Sequence, residues 1–462
     1  MAFETYYDIN PITTVDQNQW LDREPLVAEM FRTAPVIYTP LIDWTNRSQA
    51  TGALESRFDE LLDGDVNNDD IAFNANYIPE PFGVDSRSRT ITVKRYGDKV
   101  QYHKSSSYFQ QWKLSGGRDW RPILGGLLGA NVVKKFEILS RNAFLTSPSS
   151  FWTYGGNATS WANIGSDDKF SLEMVNAWNL RLGNIGTPVI PGDSAASKIV
   201  IVPPGAVYDF QQSLASASTN EAALWRDASL YEGKLKYEIG QYKNIRFVEA
   251  KNDRYGINPN VLYNCGAITV QKNVTAVINR GDGSPDPEAE VVDGVWSVGQ
   301  KDVQHYIQLE DFGANDFAVN DIVTIHTVKT NVFGVTGGVN PLSGMTIYRR
   351  VVKVDATNNR LSFDRPIFYP YSTDLNAPDG VYAYVTKGKH IGFNLVMGSR
   401  GAIMGNVNKP VEFYTPKAVD DFESVWRFSW DTNTGWNLWD PTLFECHFTA
   451  VTLPKPGGVI TP

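Results

Sequence analysis

The stretch RPILGGLLGANVVKKFEILSRNAFLTSP, Arg121 to Pro148, decides how the rest of the chain is read. Leu124, Leu128, Val132, Phe136, Leu139 and Ala143 recur at steps of three or four. That spacing lays one apolar stripe along a helix, and the stripe must be buried against something. Lys134, Lys135 and Arg141 fall on the other side, and Pro148 stops the pattern. Gly125, Gly126 and Gly129 weaken the first turns, so the firm helix is predicted over Leu127 to Leu145. A helix of about 20 residues runs roughly 30 Å, the width of a small domain. Alone, it reads as the core helix of a globular domain. Its neighbours make the reading more particular.

Upstream the chain looks extended. Met1 to about Tyr38 is aperiodic and interrupted by Pro11, Pro25 and Pro35, yet it carries Trp20, Leu26, Met30, Phe31 and Ile37. A disordered tail lacks such groups, so this arm is expected to lie on a partner or on the body of the protein. A short helix is predicted over Arg47 to Leu62, with Ala50, Leu54, Phe58 and Leu61 on one face. Asp63 to Asp70 (DGDVNNDD) starts like a calcium-binding loop. It has Asn68 where Gly is required and Asn74 where a bidentate Glu is required, so it reads as an acidic turn. Ile91 to Lys104 alternates as a hairpin about a Gly97-Asp98 turn. A lone two-stranded hairpin is marginal in water, so this one should project and be covered by another surface.

Downstream the pattern is that of an α+β body. Leu172, Val175, Trp178 and Leu182 are in phase for a helix ended by Gly183 and Gly186. Lys198 to Val202 (KIVIV) is a continuous apolar strand, which implies burial on both faces. Pro203-Pro204 breaks it, and a helix follows with Val207, Phe210 and Leu214. Another short helix fits Glu221 to Leu230, and Lys236 to Ala250 reads as a turn into a strand. From Gln271 the character changes. After the acidic loop Asn279 to Asp293, strand-like runs follow at His305–Leu309, Asp321–Val328, Ile347–Val354, Arg360–Phe363 and Val381–Thr386. Such a series makes a small barrel or sandwich. Beyond His390, apolar runs at Ile391–Met397 and Ala402–Met404 precede alternating strands at Val425–Trp430 and Phe444–Val451.

Chemistry is hard to find. No phosphate-binding glycine loop, dinucleotide fingerprint, HExxH or GxSxG occurs, and no cofactor, metal or catalytic residue is assigned. His103, His305, His326, His390 and His447 share no metal-ligand spacing. Cys265 and Cys446 are far apart; two free thiols or one disulfide both fit, and free thiols suit a reducing cytoplasm. The net charge of −9, with no basic block, argues against direct nucleic-acid recognition. Arg280-Gly281-Asp282 spells an adhesion tripeptide but sits in an acidic loop, and Asn46, Asn157 and Asn273 fit the glycosylation pattern with no signal segment. No apolar run approaches the ~20 residues of a membrane span. A soluble, non-enzymatic protein made in the cytoplasm is expected. An apolar arm and an uncovered hairpin make energetic sense when neighbouring copies cover them, which points to self-assembly. A competing reading is a β-rich carbohydrate-binding or glycan-cleaving protein, motivated by 13 Trp and the β-rich C-terminal half. A tail or decoration protein is a third.

The order of these parts resembles the major capsid proteins of tailed bacteriophages with the Hong Kong 97-type fold. LSRNAFLTSP at Leu139, KIVIVPPGAVYDF at Lys198 and EIGQYKNIRFVEA at Glu238 are similar to the branch of the lytic podophage N-four. The resemblance implies residues 1–80 as an N-terminal arm, 81–117 as an extended hairpin loop (its core Phe82 to Leu114) and 118–168 as a peripheral domain with Leu127–Leu145 as its spine helix. It implies 169–270 as an axial domain, 271–389 as an inserted all-β domain and 390–462 as the return to the axial and peripheral domains. It also implies hexamers and pentamers in an icosahedral virion shell around double-stranded DNA. A portal, a decoration protein and a separate scaffolding protein are the partners expected, since about 80 residues are too few for a large built-in scaffold. Some members crosslink through Lys, Asn and Glu; Lys94, Lys99 and Lys104 match no such set, so that chemistry is not carried over.

Overall fold

A computed structural model of the chain describes residues 36–45, 54–62, 85–103, 120–182, 198–217, 223–230, 235, 237–253, 256–278, 305–313, 315–327, 330–342, 346–364, 384–399, 401–418 and 425–453. Trp20, Leu26, Met30, Phe31, Asn46, the Asp63–Asp70 turn, Lys104, Gly183, Gly186, the Arg280-Gly281-Asp282 loop and the tail beyond Leu453 lie outside them.

In chain order the first strands are β1 (Asp43–Thr45), β2 (Glu55–Leu62), β3 (Asp85–Thr92) and β4 (Lys94–His103), followed by helix α1 (Trp120–Leu145). Then come β5 (Trp152–Tyr154), α2 (Leu172–Arg181), β6 (Lys198–Val202), α3 (Pro204–Ser216), β7 (Trp225–Asp227), β8 (Glu238–Tyr242), β9 (Ile245–Glu249) and β10 (Val261–Leu262). Next are β11 (Ile268–Ile278), β12 (His305–Leu309), β13 (Ile322–His326), β14 (Thr330–Val332), β15 (Val335–Gly338), β16 (Ile347–Asp355), β17 (Arg360–Phe363) and β18 (Tyr384–Gly388). The last four are β19 (Ile391–Met397), β20 (Ile403–Ala418), β21 (Val425–Leu438) and β22 (Phe444–Ala450).

The body is built on a mixed sheet in the order β5-β22-β19-β6-β9-β8-β7, with β10 beside β19. The KIVIV strand explains its two-sided burial. Ile199 and Ile201 enter a core shared with the C-terminal end of α1, whereas Val200 and Val202 enter the opposite core. That second core is closed by Val175 and Trp178 of α2 and by Phe210 and Leu214 of α3, as their spacing predicts. Two expectations fail in this region. Trp225–Asp227 is a short strand and Ala228–Leu230 a single 3-10 turn, not a helix over Glu221–Leu230. Lys236–Ala250 holds two strands, because Lys243 takes φ 52° and turns the chain back on itself.

Helix α1 starts at Trp120, seven residues before the predicted firm part. The helix runs through its glycines, and a Cβ at Gly125 or Gly129 would meet nothing within 4 Å, so no close contact requires glycine there. Leu128 and Ala143 of the expected stripe are buried, but so are Glu137, Ser140 and Arg141. Arg141 was expected to face water; instead its guanidinium donates to Pro259 O at 2.7 Å and to Asn142 Oδ1. The helix lies on a second sheet in the order β1-β20-β21-β4. Asn131 accepts from Trp430 Nε1 at 3.2 Å, Phe136 meets Trp44, and Lys135 stands over the Tyr96 ring.

The upstream segments are where sequence reading goes most astray. Gly97-Asp98 is no turn. It lies in the middle of β4, which pairs with β21 over ten positions from Val425↔His103 to Thr434↔Lys94. A Cβ at Gly97 would stand 2.6 Å from Trp430 O, so glycine is needed for close backbone approach. The hairpin that does form joins β2 to β3, with eight pairs from Glu55↔Thr92 to Leu62↔Asp85. The expected helix over Arg47–Leu62 is therefore strand from Glu55 onward. Its helical spacing misleads because Phe58 is buried, against Trp439, while Leu54 stays exposed.

Residues 268–388 close a six-stranded barrel in the order β11-β12-β17-β16-β13-β18. Val274, Ile307, Val323, Ile325, Val351, Leu361 and Val385 fill it. Its first strand starts at Ile268, three residues before the change of character read at Gln271, and its last runs Tyr384–Gly388.

Candidate functional site

Among the described residues, the cluster that looks catalytic on paper is Thr153, Glu445 and His447. Strands β5 and β22 bring them together, with His447 paired to Thr153 in register. The Thr153 hydroxyl donates to Glu445 Oε1 at 2.5 Å and lies 2.9 Å from His447 Nδ1. Glu445 also accepts from Trp178 Nε1 at 3.0 Å and pairs with Arg181 at 3.1 Å. A nucleophile would give its proton to the histidine. Here that proton goes to the carboxylate, so His447 Nδ1–H donates to the threonine. Burial, helped by the Arg181 charge, holds the imidazole down to about 3, hence neutral. Phe170 and Trp178 pack against the ring and close it off. The cluster clamps α2 to the sheet.

The other histidines are placed structurally. His326 Nε2 meets Thr386 Oγ1 at 2.7 Å inside the barrel wall. His390 Nδ1 accepts from Asn264 N at 3.2 Å, and burial pushes it down to about 4. His103 and His305 lie in β4 and β12. Cys265 and Cys446 are free and buried, and burial pushes both thiols up, away from the reactive thiolate. Among the described residues no three His, Cys, Asp or Glu side chains converge to hold a metal, and no helix is long and apolar enough to cross a membrane. Of the tryptophans that motivate a glycan reading, Trp161, Trp178 and Trp430 are fully buried in the core, and Trp44, Trp225, Trp436 and Trp439 are half-buried.

What the molecule does present is a set of extended segments laid on the body. Residues 36–45 form a strap across α1. The buried carboxylate of Glu137 takes three consecutive peptide N–H groups from it: Ile37 and Tyr38 on Oε2 and Thr39 on Oε1, each at 2.9 Å. Tyr38 then drops between Phe144 and Phe393. Burial, despite nearby Arg141, pushes its phenol well up, so it stays neutral. The strap ends as β1, parallel to β20 at Met404–Asn406. Trp44 lies flat over Gly405, where a Cβ would stand 2.4 Å from the indole. Ile37 therefore lies on the body, one of the two places expected for the arm. Nothing in the sequence marks Glu137: it sits among Ser140 and Arg141 as though on a solvated face.

The long sheet is held by a second polar knot. Asp431 accepts from Arg95, Lys409 and Tyr414, and Lys409 also reaches Glu412 at 3.0 Å. Burial pushes the Asp431 carboxyl up, but these hydrogen bonds win and hold it below its usual value. Lys409 is correspondingly raised, by Asp431 first. Both groups stay charged, so no amide condensation between them is favoured. The knot sits beside register shifts at Val407/Lys409 and Lys409/Glu412 and fixes the bend there.

Two of the contacts that fasten the barrel to the body stand out among the described residues. Asn264, at φ 58°, donates to Ile322 O and Thr324 Oγ1 and accepts from Gly388 N. The β14–β15 turn carries Phe333, at φ 52°, into a slot where its ring lies 4.1 Å from Trp161 and 5.0 Å from Trp152.

No family model matches the chain, and no curated protein matches it. Among solved structures it is similar to the capsid of Ralstonia phage GP4, with 10% identity over 94% of this chain and 93% of that one, at a TM-score of 0.46. It is similar to the capsid of Cyanophage P-SCSP1u, with 8% identity over 91% and 89%, at a TM-score of 0.44. It is also similar to the Cyanophage Pam1 capsid asymmetric unit, with 10% identity over 94% and 95%, at a TM-score of 0.43.

Proposed function

We propose that this chain is the major capsid protein of a tailed phage, with the Hong Kong 97-type fold, and that it assembles rather than catalyses. The observation that carries this is the β2–β3 ribbon. Its two strands form a sheet of their own among the described residues, rooted at one end on β21. Such a ribbon is marginal in water and acquires its stability from a surface that another copy supplies. In this reading α1 is the spine helix. The ribbon, rather than Phe82–Leu114, is the extended loop, and residues 36–45 are the root of the N-terminal arm. The sheet around KIVIV with α2 and α3 is the axial part, and the barrel of 268–388 is the inserted domain.

Hexamers and pentamers of this subunit would close an icosahedral virion shell around double-stranded DNA. A net charge of −9 suits a wall that encloses DNA without adhering to it. A scaffolding protein, a portal and a decoration protein follow as partners from the same reading. Removing residues 1–35 tests it. The cut leaves Ile37, Tyr38 and their Glu137 contacts in place, so the subunit should fold as before and fail to form particles. Particle formation undiminished by that deletion would contradict the role given to the arm.

A further inference from the structure

Among the described residues, the C-terminal end of α1, strand β5 and the β14–β15 turn frame a cavity of about 630 Å³. Leu145, Trp152, Tyr154, Phe333 and Leu342 line it, with the exposed Ser149 beside them. A space of this size with apolar and aromatic walls favours an apolar occupant. The strap of residues 36–45 leads toward it. Trp44 meets Phe136, Thr39 Oγ1 lies 3.5 Å from Ser140 Oγ, and the Tyr38 ring meets Phe144. Followed upstream from Trp44 to Tyr38, these contacts move along α1 toward its C-terminal end, where Leu145 borders the cavity. Ile37 and Tyr38 already share one core with Leu145, Trp152 and the Phe333 ring.

The arm, residues 1–35, joins the strap at Val36 and carries Met30 and Phe31 just upstream of it. Extended chain covers about 3.3 Å per residue, so the six steps from Ile37 back to Phe31 reach about 20 Å. Ile37 is held at Glu137, and the eight residues from there to Leu145 amount to about 12 Å of helix rise. The cavity is therefore within reach of the same copy's arm. The intervening charge fits as well. The last turn of α1 has no basic side chain, and Arg32 brings a cation to that end of the helix, where positive charge is favoured. We propose that Met30 and Phe31 fill the cavity at the end of α1 in their own copy and extend the core that Ile37 and Tyr38 begin. Residues 1–29 then remain to reach a neighbouring copy. This contact lies within one subunit and does not rest on the shell reading.

Thiol pairing in the full chain, measured on the unassembled subunit, tests this, because the native Cys265 and Cys446 are buried. Thr33→Cys with Ser149→Cys should form an intrachain disulfide on mild oxidation at least about tenfold faster than Thr33→Cys with Leu180→Cys, since docking raises the effective concentration of the paired thiols. Leu180 is an exposed residue of α2, the helix that closes the opposite core, so it serves as the control. Adding Met30→Asp with Phe31→Asp to the first pair should slow it to the control rate. Thermal melts show that each variant is folded. Pairing no faster than the control, or pairing that the two aspartates leave unchanged, overturns the proposal. Disulfide-linked dimers in place of the intrachain bond also overturn it, because the arm of a second copy is then the occupant. Each of these results leaves the shell reading standing, since that reading is tested by particle formation.

Discussion

Glu137 and Tyr38, ninety-nine residues apart, are joined where a buried carboxylate accepts a strap peptide N–H at 2.9 Å. Ile37 and Thr39 donate to the same carboxylate, so one side chain of the long helix fixes three consecutive peptides. Charge-assisted bonds to a buried acceptor are stronger than neutral ones, and removing the acceptor strands its donors.

Glu137→Ala should therefore cost roughly 3–5 kcal/mol, and Glu137→Gln somewhat less because one carbonyl oxygen remains. Hydrogen exchange localises the effect: amides of Ile37, Tyr38 and Thr39 should lose protection while those of Lys198–Val202 keep theirs. Equal loss in both places would contradict the separate anchoring of the strap.

The strap shows what sequence could and could not tell. KIVIV, the α2 and α3 stripes and five strands of the barrel were legible because each follows a local period set by burial on one or two faces. The β4 strand was not, because Gly97-Asp98 satisfies the local rule for a turn while ten ladder pairs with β21, more than three hundred residues away, outweigh it. Phe58 misled in the same way: a helical spacing is also met by a strand that buries one large side chain, here against Trp439, while Leu54 stays exposed. Arg141 falls on the side away from the apolar stripe and Glu137 carries no signal at all, because a buried charge differs from an exposed one only in its partners, here Pro259 and the strap peptides.

The Phe333 ring fastens the barrel to the Trp152–Trp161 slot at the cost of a backbone conformation that bulky residues avoid. Phe333→Ala should lose about 3 kcal/mol of packing and recover nothing from the backbone, because alanine is strained at positive φ as well. Urea unfolding should register the loss, and tryptophan fluorescence should shift to the red as Trp152 and Trp161 gain water. Unchanged fluorescence would contradict the latch.

Acid should destabilise the subunit through two histidines. His390 falls to about 4 and His447 to about 3 from an ordinary 6.5, both chiefly through burial, so each is neutral when folded and takes a proton on unfolding. Their contribution is complete above about pH 6.5 and is lost as pH falls toward 4 and then 3, on the order of a few kcal/mol each. His390→Asn, which keeps an acceptor for Asn264 N–H but cannot titrate, should flatten the melting-temperature profile between pH 6.5 and 4. A profile parallel to that of the unmodified chain would contradict this.

Gly129 lies inside α1 with open space where a Cβ would go. Gly129→Ala should stabilise the unassembled subunit by about 0.5–1 kcal/mol by raising helix propensity. Denaturant titration measures it; a destabilisation would mean that the surface beside Gly129 is occupied.

The central claim is that these extended segments exist to be covered by other copies. Electron microscopy of the purified full chain, across a range of concentrations, addresses it most directly. A shell subunit gives closed shells, tubes or discrete hexamers, with the β2–β3 ribbon of each copy lying on its neighbour. A monodisperse 51.5 kDa monomer at every concentration would contradict it.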